Sequence, residues 1–302
     1  MNRPANYIVF LCYGNVGVFH ECAFALLSLC RLHGAEELKN IEVCLYTDNP
    51  AWFQSFKDCP LKVSYREVDK QTLRQWRGKI DFVHRVKIEA LKDVTKDKTG
   101  NILYTDTDIV FTHRIDKMLE HIGNGMLYMH IMEGIVSNAG NPILSKLNKH
   151  LQKNKQRKIK EKPLHELAMW NAGVLGFNTK YKYILDEALA FTDSEYPTFP
   201  KHVIEQFAFS VYFQQAGPIK AAAPFILHYW NLKEARVALA SFFEEFKNKS
   251  WTELVHYSQT LQIPALMQEK VNFLHNRSVL DKLRKKQWLP GKPDWSELIK
   301  QV

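Results

Sequence analysis

No apolar run in the 302 residues approaches the ~20 that a membrane-crossing helix needs; the longest, AFALLSLC at Ala23–Cys30, falls far short. The N-terminal residues lack the apolar core and small-residue cleavage site of a secretory signal, since Tyr7–Cys12 already reads as a strand. Cysteine is sparse. The five (Cys12, Cys22, Cys30, Cys44, Cys59) are an odd number with no C-x-x-C pair, which argues against a disulfide framework and points to buried free thiols in a reducing cytoplasm. Internal repeats and low-complexity tracts are also missing, which excludes a solenoid. With 46% hydrophobic, 12% aromatic and 24% charged residues, the composition excludes a disordered, collagen-like or coiled-coil chain.

What is present is an alternation. YIVFLCY (Tyr7–Tyr13) is a continuous apolar run, expected of a strand buried on both faces. A Gly-Asn-Val-Gly turn follows at Gly14–Gly17, then a helix over Val18–Leu32 that ends near Gly34. IEVCLYT (Ile41–Thr47) and LKVSYREV (Leu61–Val68) read as strands, Asp81–Val94 as a helix, and NILYTDTDIVF (Asn101–Phe111) as a further strand. This order predicts a mostly parallel sheet with helices on both faces. Ligands bind such sheets beyond the carboxyl ends of the strands, where strand order reverses. Downstream, Met126–Ile131 and Gly173–Asn178 read as strands, Tyr181–Phe191 and Val203–Phe213 as helices, and Pro224–Tyr229 as a short strand. From Leu232 the chain is helical and amphipathic, with aromatic SFFEEF and basic DKLRKK runs.

Chemistry-bearing residues cluster where that logic places them. In ILYTDTDIVF an apolar strand reaches Asp106-Thr107-Asp108. Alternation along a strand would turn both carboxylates to one side, where they repel unless a hard divalent cation such as Mg²⁺ or Mn²⁺ lies between them. The same string fits the D-x-D-x-[TV] nucleophile motif of dehalogenase-like phosphatases. That family carries the motif on its first strand and needs a later acidic pair, and no adjacent Asp-Asp follows Asp108. In MWNAGVLGFNT, Ala172 and Gly173 let backbone approach a ligand closely, and Asn171 offers donors and an acceptor. In ILHYWNLKEAR, His228 can complete a metal site that two carboxylates begin, with Lys233 five residues on. In HVIEQFAFS, Glu205 and Gln206 open an apolar helix.

Together and in this order, these four elements resemble the GT-A nucleotide-sugar glycosyltransferases, nearest to glycosyltransferase family 8, the group of glycogenin and the lipopolysaccharide galactosyl- and glucosyltransferases. The likeness covers roughly Tyr7–Arg236. It implies an α/β GT-A fold: a Rossmann-like, mostly parallel sheet with helices on both faces, over 1–230, with a helical C-terminal extension over 231–302. It implies a cofactor, Mn²⁺ or Mg²⁺, held by Asp106, Asp108 and His228, and a diphosphate paired with Lys233. Tyr13, Gly14 and Asn15 match the nucleoside-binding loop, with Asp48 and Asn49 weaker candidates for the same pocket. Arg85 and Lys87 match a helix whose basic residue reaches the donor. Thr105 and Thr107 belong to the D-x-D donor element, and Asn171 and Ala172 would face the transferred sugar.

The expected activity is a metal-dependent transfer from a nucleotide sugar, a UDP-sugar, to a hydroxyl of a saccharide, glycolipid or protein. Gln206 serves the reacting face if the anomeric configuration is retained; Glu205, standing where the family has Asp, is the base if it is inverted. Retention is favoured. Rival readings are a catalytically silent carbohydrate- or nucleotide-binding protein on the same scaffold, and a sugar nucleotidyltransferase. The latter would want a basic Gly-rich loop after the first strand, and Gly14–Gly17 has no Lys or Arg.

Net charge is +9, from 41 Lys and Arg against 32 Asp and Glu, and the segment Lys146–Lys162 supplies most of it. This stretch is expected to be an exposed, mobile excursion that draws the protein to an anionic acceptor or to the inner face of a membrane as a peripheral contact. It has no interleaved aromatics, which argues against nucleic acid.

Overall fold

A computed structural model describes residues 5–56, 58–138, 140–153, 158–278, 287–291 and 293–300. In chain order the first half gives β1 (Ala5–Cys12), α1 (Val16–Leu32), α2 (Ala35–Leu38), β2 (Ile41–Thr47), α3 (Pro50–Gln54), β3 (Lys62–Glu67), α4 (Lys70–Arg77), α5 (Arg85–Asp97), β4 (Gly100–Thr105) and β5 (Ile109–Phe111). Then come α6 (Asp116–Gly123), β6 (Leu127–Met129), β7 (Met132–Ile135), α7 (Pro142–Gln152), β8 (Lys158–Ile159), β9 (Lys162–Pro163), β10 (Ala168–Trp170) and β11 (Val174–Asn178). Last are α8 (Tyr183–Glu195), α9 (Val203–Ala216), β12 (Ile219–Ala221), β13 (Ile226–His228), α10 (Ala235–Glu245), α11 (Trp251–Tyr257), α12 (Ile263–Asn276) and α13 (Trp295–Ile299).

The main sheet runs β12-β6-β11-β4-β1-β2-β3. Neighbouring strands are parallel except β11, which is antiparallel to both β4 and β6. Alternation along the strands feeds two apolar layers. Ile8, Phe10 and Cys12 of β1 pack with Phe24 of α1, Phe242 of α10 and Trp251 of α11 on one face. Val9 of β1 and Tyr104 of β4 pack with Ile88 of α5, Leu185 of α8 and Phe207 of α9 on the other. Burial on both faces is why β2 is apolar along most of its length and wholly buried. The C-terminal helices thus share a core with α1 and the sheet.

The chain builds outward from β1 through β2 to β3, then returns to set β4 on the other side of β1. Strand order reverses between β1 and β4, whose ends are in register at Phe10 and Thr105. The crevice beyond those ends is the ligand position of open α/β sheets.

Three sequence expectations are corrected. The single strand expected over Asn101–Phe111 is two strands. β4 pairs with β1 and β11 while β5 pairs with β13, so the chain changes sheets at Asp106-Thr107-Asp108. The amide of Asp106 donates to Gly173 O (2.8 Å) and the Asp108 carbonyl accepts from the Tyr229 amide (3.0 Å). A helix begins at Arg85 rather than Asp81, because Asp81 takes a positive φ of 45°, which a helix cannot contain. The segment after Pro142 is not an irregular excursion throughout: α7 buries Leu144, Leu147 and Leu151, and β8 and β9 form a hairpin. Asn154–Arg157 of that segment, and the run DKLRKK, lie outside the described residues.

Candidate active site

Asp106, Asp108 and His228 come together in the gap between the two sheets, with one ligand atom of each within 4.8 Å of the others. His228 Nε2 lies 3.2 Å from Asp108 Oδ1 and 3.7 Å from Asp106 Oδ2. Lys233 Nζ closes on Asp108 Oδ2 at 2.6 Å from the solvent side. Burial alone would push the Asp108 carboxyl up, but hydrogen bonds and charge from His228 and Lys233 outweigh it and hold the group well below the ordinary carboxylate range.

Asn171 fixes which nitrogen of His228 faces the carboxylates. Its Oδ1 accepts from the Gly173 amide (2.9 Å) and its Nδ2 donates to Glu133 (3.1 Å), so the amide orientation is set by its partners. His228 Nδ1, 3.1 Å from that Oδ1, must then be the N–H donor. In a neutral imidazole this leaves the Nε2 lone pair aimed at two carboxylates. Three lone-pair donors converging on one point repel unless a cation or a proton lies between them. Two carboxylate oxygens and one imidazole nitrogen are donors that divalent ions take, so the residues present fit a divalent ion. Gly173 makes the arrangement possible. A Cβ there would overlap Cε1 and Nδ1 of His228 and stand 2.9 Å from Nε2.

Beneath the acidic pair lies a buried cation. Lys87 Nζ donates to Ala172 O (3.0 Å) and pairs with Asp106 Oδ1 (3.4 Å) and Glu205 Oε1 (3.2 Å). Asp106 Oδ1 also accepts from the Tyr104 hydroxyl at 2.7 Å. Burial would lower the Lys87 pKa, but Asp106 and Glu205 keep it raised. Glu205 is 2% exposed, and burial pushes its carboxyl up to about 7 against the pull of Lys87. The geometry therefore makes Glu205 an inward partner of Lys87 rather than a base open to a substrate. Gln206, next on α9, points the other way: Nε2 donates to Glu133 Oε2 (2.9 Å) and Oε1 accepts weakly from the Ala172 amide (3.4 Å).

The remaining candidates divide. Tyr13 and Gly14 stand beyond β1 beside the end of β4, and the Gly14 amide donates to Asp48 Oδ2 (3.1 Å), joining the ends of β1 and β2. Gly14 has φ +100°, which suits glycine. The side chains of Asn15 and Asn49 cap α1 and α3 by accepting from Val18 N and Trp52 N. Thr105 is wholly buried at the end of β4. Thr107 donates to Glu21 (3.4 Å), a buried carboxylate that Arg236 grips through two bonds of 2.8 and 2.9 Å. Arg85 lies apart from the acidic group: its guanidinium bonds Asp193, Glu89 and Trp76 O, holding α5 to α8 and α4.

Sequence reasoning missed Glu133, whose two oxygens meet Asn171 and Gln206. It is exposed on β7, and an isolated acidic residue between apolar ones carries no signal of that position.

No family model matches the chain, and no curated protein matches it. Among solved structures, the glycosyltransferase GlyE of Streptococcus pneumoniae TIGR4 is similar at 15% identity, TM-score 0.50, over 84% of this chain and 63% of that one. Mouse xyloside xylosyltransferase 1 is similar at 12% identity, TM-score 0.47, over 72% and 84% of the two chains. The galactosyltransferase LgtC, in complex with donor and acceptor sugar analogues, is similar at 13% identity, TM-score 0.47, over 80% and 99%. The chain thus spans under two thirds of the length of GlyE. The likeness to GlyE shows the fold: a mixed α/β, GT-A glycosyltransferase architecture built on a mostly parallel sheet.

Proposed function

We propose that this chain is a glycosyltransferase that moves a sugar from a UDP-sugar to a hydroxyl of a saccharide, glycolipid or protein acceptor, with retention of anomeric configuration. One observation carries the reading: Asp106, Asp108 and His228 converge beyond β4, beside the reversal of strand order. Asp106, Asp108 and His228 would hold Mn²⁺ or Mg²⁺, which when bound supplies charge neutralisation for a leaving diphosphate. Lys233, 57% exposed beyond Asp108, is free to swing onto the same diphosphate. Lys87 keeps Asp106 and the Ala172 carbonyl in place from below. Asn171 orients His228, while Gln206 and Glu133 form the wall facing the transferred sugar.

In the transfer, the acceptor oxygen bonds to the anomeric carbon as that carbon's bond to the diphosphate oxygen breaks. The electron pair leaves with the nucleoside diphosphate, and the acceptor proton passes to a diphosphate oxygen. Retention is supported by the burial of Glu205, which removes the base that inversion would use. Both oxygens of the exposed Glu133 accept amide bonds, so it orients its neighbours.

The test is UDP release from a panel of UDP-sugars with Mn²⁺. Slow hydrolysis by the wild type, abolished by EDTA and by Asp108→Asn, is expected. A folded Asp108→Asn variant that keeps the rate would overturn the metal reading. Saccharide binding that ignores both nucleotide and metal would mean a binding protein on this scaffold. Proton NMR of the first-formed product reads the anomeric configuration.

A further inference from the structure

A cleft of about 340 Å³ opens beside the candidate active site, lined by Met132, Lys160, Lys162, Trp170, Gln214 and Pro218 among others. That is the lower end of the size range of ligand pockets. Its position is fixed by pairing. Met132 and Trp170 are partners across β7 and β10, and each is followed along its strand by a residue of the active-site wall, Glu133 and Asn171. Side chains alternate along a strand, so those two neighbours face the other way; the link to the wall runs instead through Ser210, whose Oγ meets both Trp170 O (3.2 Å) and Gln206 O (2.9 Å).

The lining has a definite chemistry. Trp170 is half-buried and Met132 is 44% exposed, giving an apolar platform with an indole face on which a pyranose C–H face can pack. The Gln214 amide is consumed by the backbone of Ala168 and Ser210. Among the described residues, no acidic one lines the cleft. The two charges are Lys160 and Lys162, both exposed, from a hairpin whose turn residues Lys160 and Glu161 take φ of 46° and 66°. Among the described residues, neither lysine lies within salt-bridge distance of a carboxylate; Lys160 Nζ makes one long bond, 3.4 Å, to Gln214 O. Here the basic segment of the sequence acquires a place: it sets two uncompensated ammonium groups at the edge of an aromatic platform.

We propose that this cleft is the acceptor subsite and that the acceptor is a saccharide carrying a phosphate group. This rests on the transferase reading above and adds the class of the second substrate. A phosphate monoester bears about −1.5 to −2 charge at pH 7, which two lysine point charges match. A carboxylate carries a single negative charge and would leave one of the two ammonium groups unmatched, whereas a phosphate monoester can engage both as point charges. The sugar ring covers Trp170 and Met132 and directs a hydroxyl toward Glu133 and Gln206.

The experiment is calorimetric titration of the full chain, without donor or metal, with hexose and N-acetylhexosamine 6-phosphates, their parent sugars and inorganic phosphate. At least one sugar phosphate should bind tenfold or more tightly than both its parent sugar and inorganic phosphate. Lys160→Ala/Lys162→Ala should erase the preference over the parent sugar, and Trp170→Ala the preference over inorganic phosphate. Parent sugar binding equally well, a preference that survives loss of both lysines, or inorganic phosphate matching the best sugar phosphate would each overturn the proposal. So would lysine-dependent sedimentation with anionic liposomes in the absence of any sugar-phosphate binding, which would assign the pair to a lipid surface. A separate thermal shift with UDP-sugars and Mn²⁺ tests donor binding alone, so failure of the transferase reading and failure of this one are told apart.

Discussion

Gly173→Ala is the smallest change that addresses the site's geometry directly. Gly173 does not sit in the left-handed region, so alanine has no backbone penalty there. Its Cβ alone acts, overlapping the His228 ring at Cε1 and Nδ1 and lying 2.9 Å from Nε2. Unbonded carbons settle at about 3.5–4.0 Å, so the imidazole must retreat by about 1 Å or more. His228 begins only 3.2 Å from Asp108 and 3.1 Å from Asn171, and a shift of that size separates it from one or both. Overpacking of this kind costs about 1–3 kcal/mol of stability. Disturbing the support of a metal-ligating histidine lowers metal affinity by about 10–100-fold. The assay is Mn²⁺ titration monitored by calorimetry, with circular dichroism to confirm the fold and urea melts for stability. The double variant Gly173→Ala/His228→Ala separates the effects: removing the ring relieves the overlap and restores stability, while metal affinity stays low. A folded Gly173→Ala protein that binds Mn²⁺ as the wild type does would refute the assignment of His228 as a ligand.

Further outcomes follow from the buried charges. Arg236→Ala leaves Glu21, wholly buried, without its bidentate partner, and should cost about 3–5 kcal/mol in urea unfolding; adding Glu21→Gln should recover part of it, and a cost below about 1 kcal/mol would contradict the pairing. Arg85→Ala should lower stability by about 2–3 kcal/mol through its lost bonds to Asp193 and Glu89, yet leave UDP-sugar affinity within twofold; a large loss of affinity would return Arg85 to the donor site. Burial holds the His130 pKa down to about 4 from 6.5, so the unfolded chain takes up the proton first. The stability that this group contributes is present above pH 6.5 and lost as pH falls toward 4, by about 2 kcal/mol between pH 7 and 5. Urea melts of wild type and His130→Asn across that interval check the sign, and an equal slope in both would remove His130 as the cause.

Local pattern carried much of this protein. The apolar run Ile41–Thr47 becomes β2 with the same bounds, and Val203 opens a helix as its pattern predicts. Asp106, Asp108 and His228 were picked out by the order in which short motifs follow one another along the chain, and the structure brings the three together. Arg85 and Lys87 were not separable. Two basic residues two apart on a helix point to different sides, and only the packing of α5 against α8 decides that one grips Asp193 while the other lies under Asp106.

What the sequence determined by itself was the order of strands and helices, the double burial of the sheet and the residue types that meet at its carboxyl edge. Hydrophobic periodicity and short-range backbone chemistry set these within ten or so residues. Tertiary structure alone decided the rest: that the chain changes sheets at Asp106–Asp108, that Glu205 is turned inward while Gln206 faces out, that Glu133 joins the wall, and that Lys160 and Lys162 reach a cleft beside it. Each is a contact between residues tens of positions apart, set by how layers pack, and no local pattern encodes it.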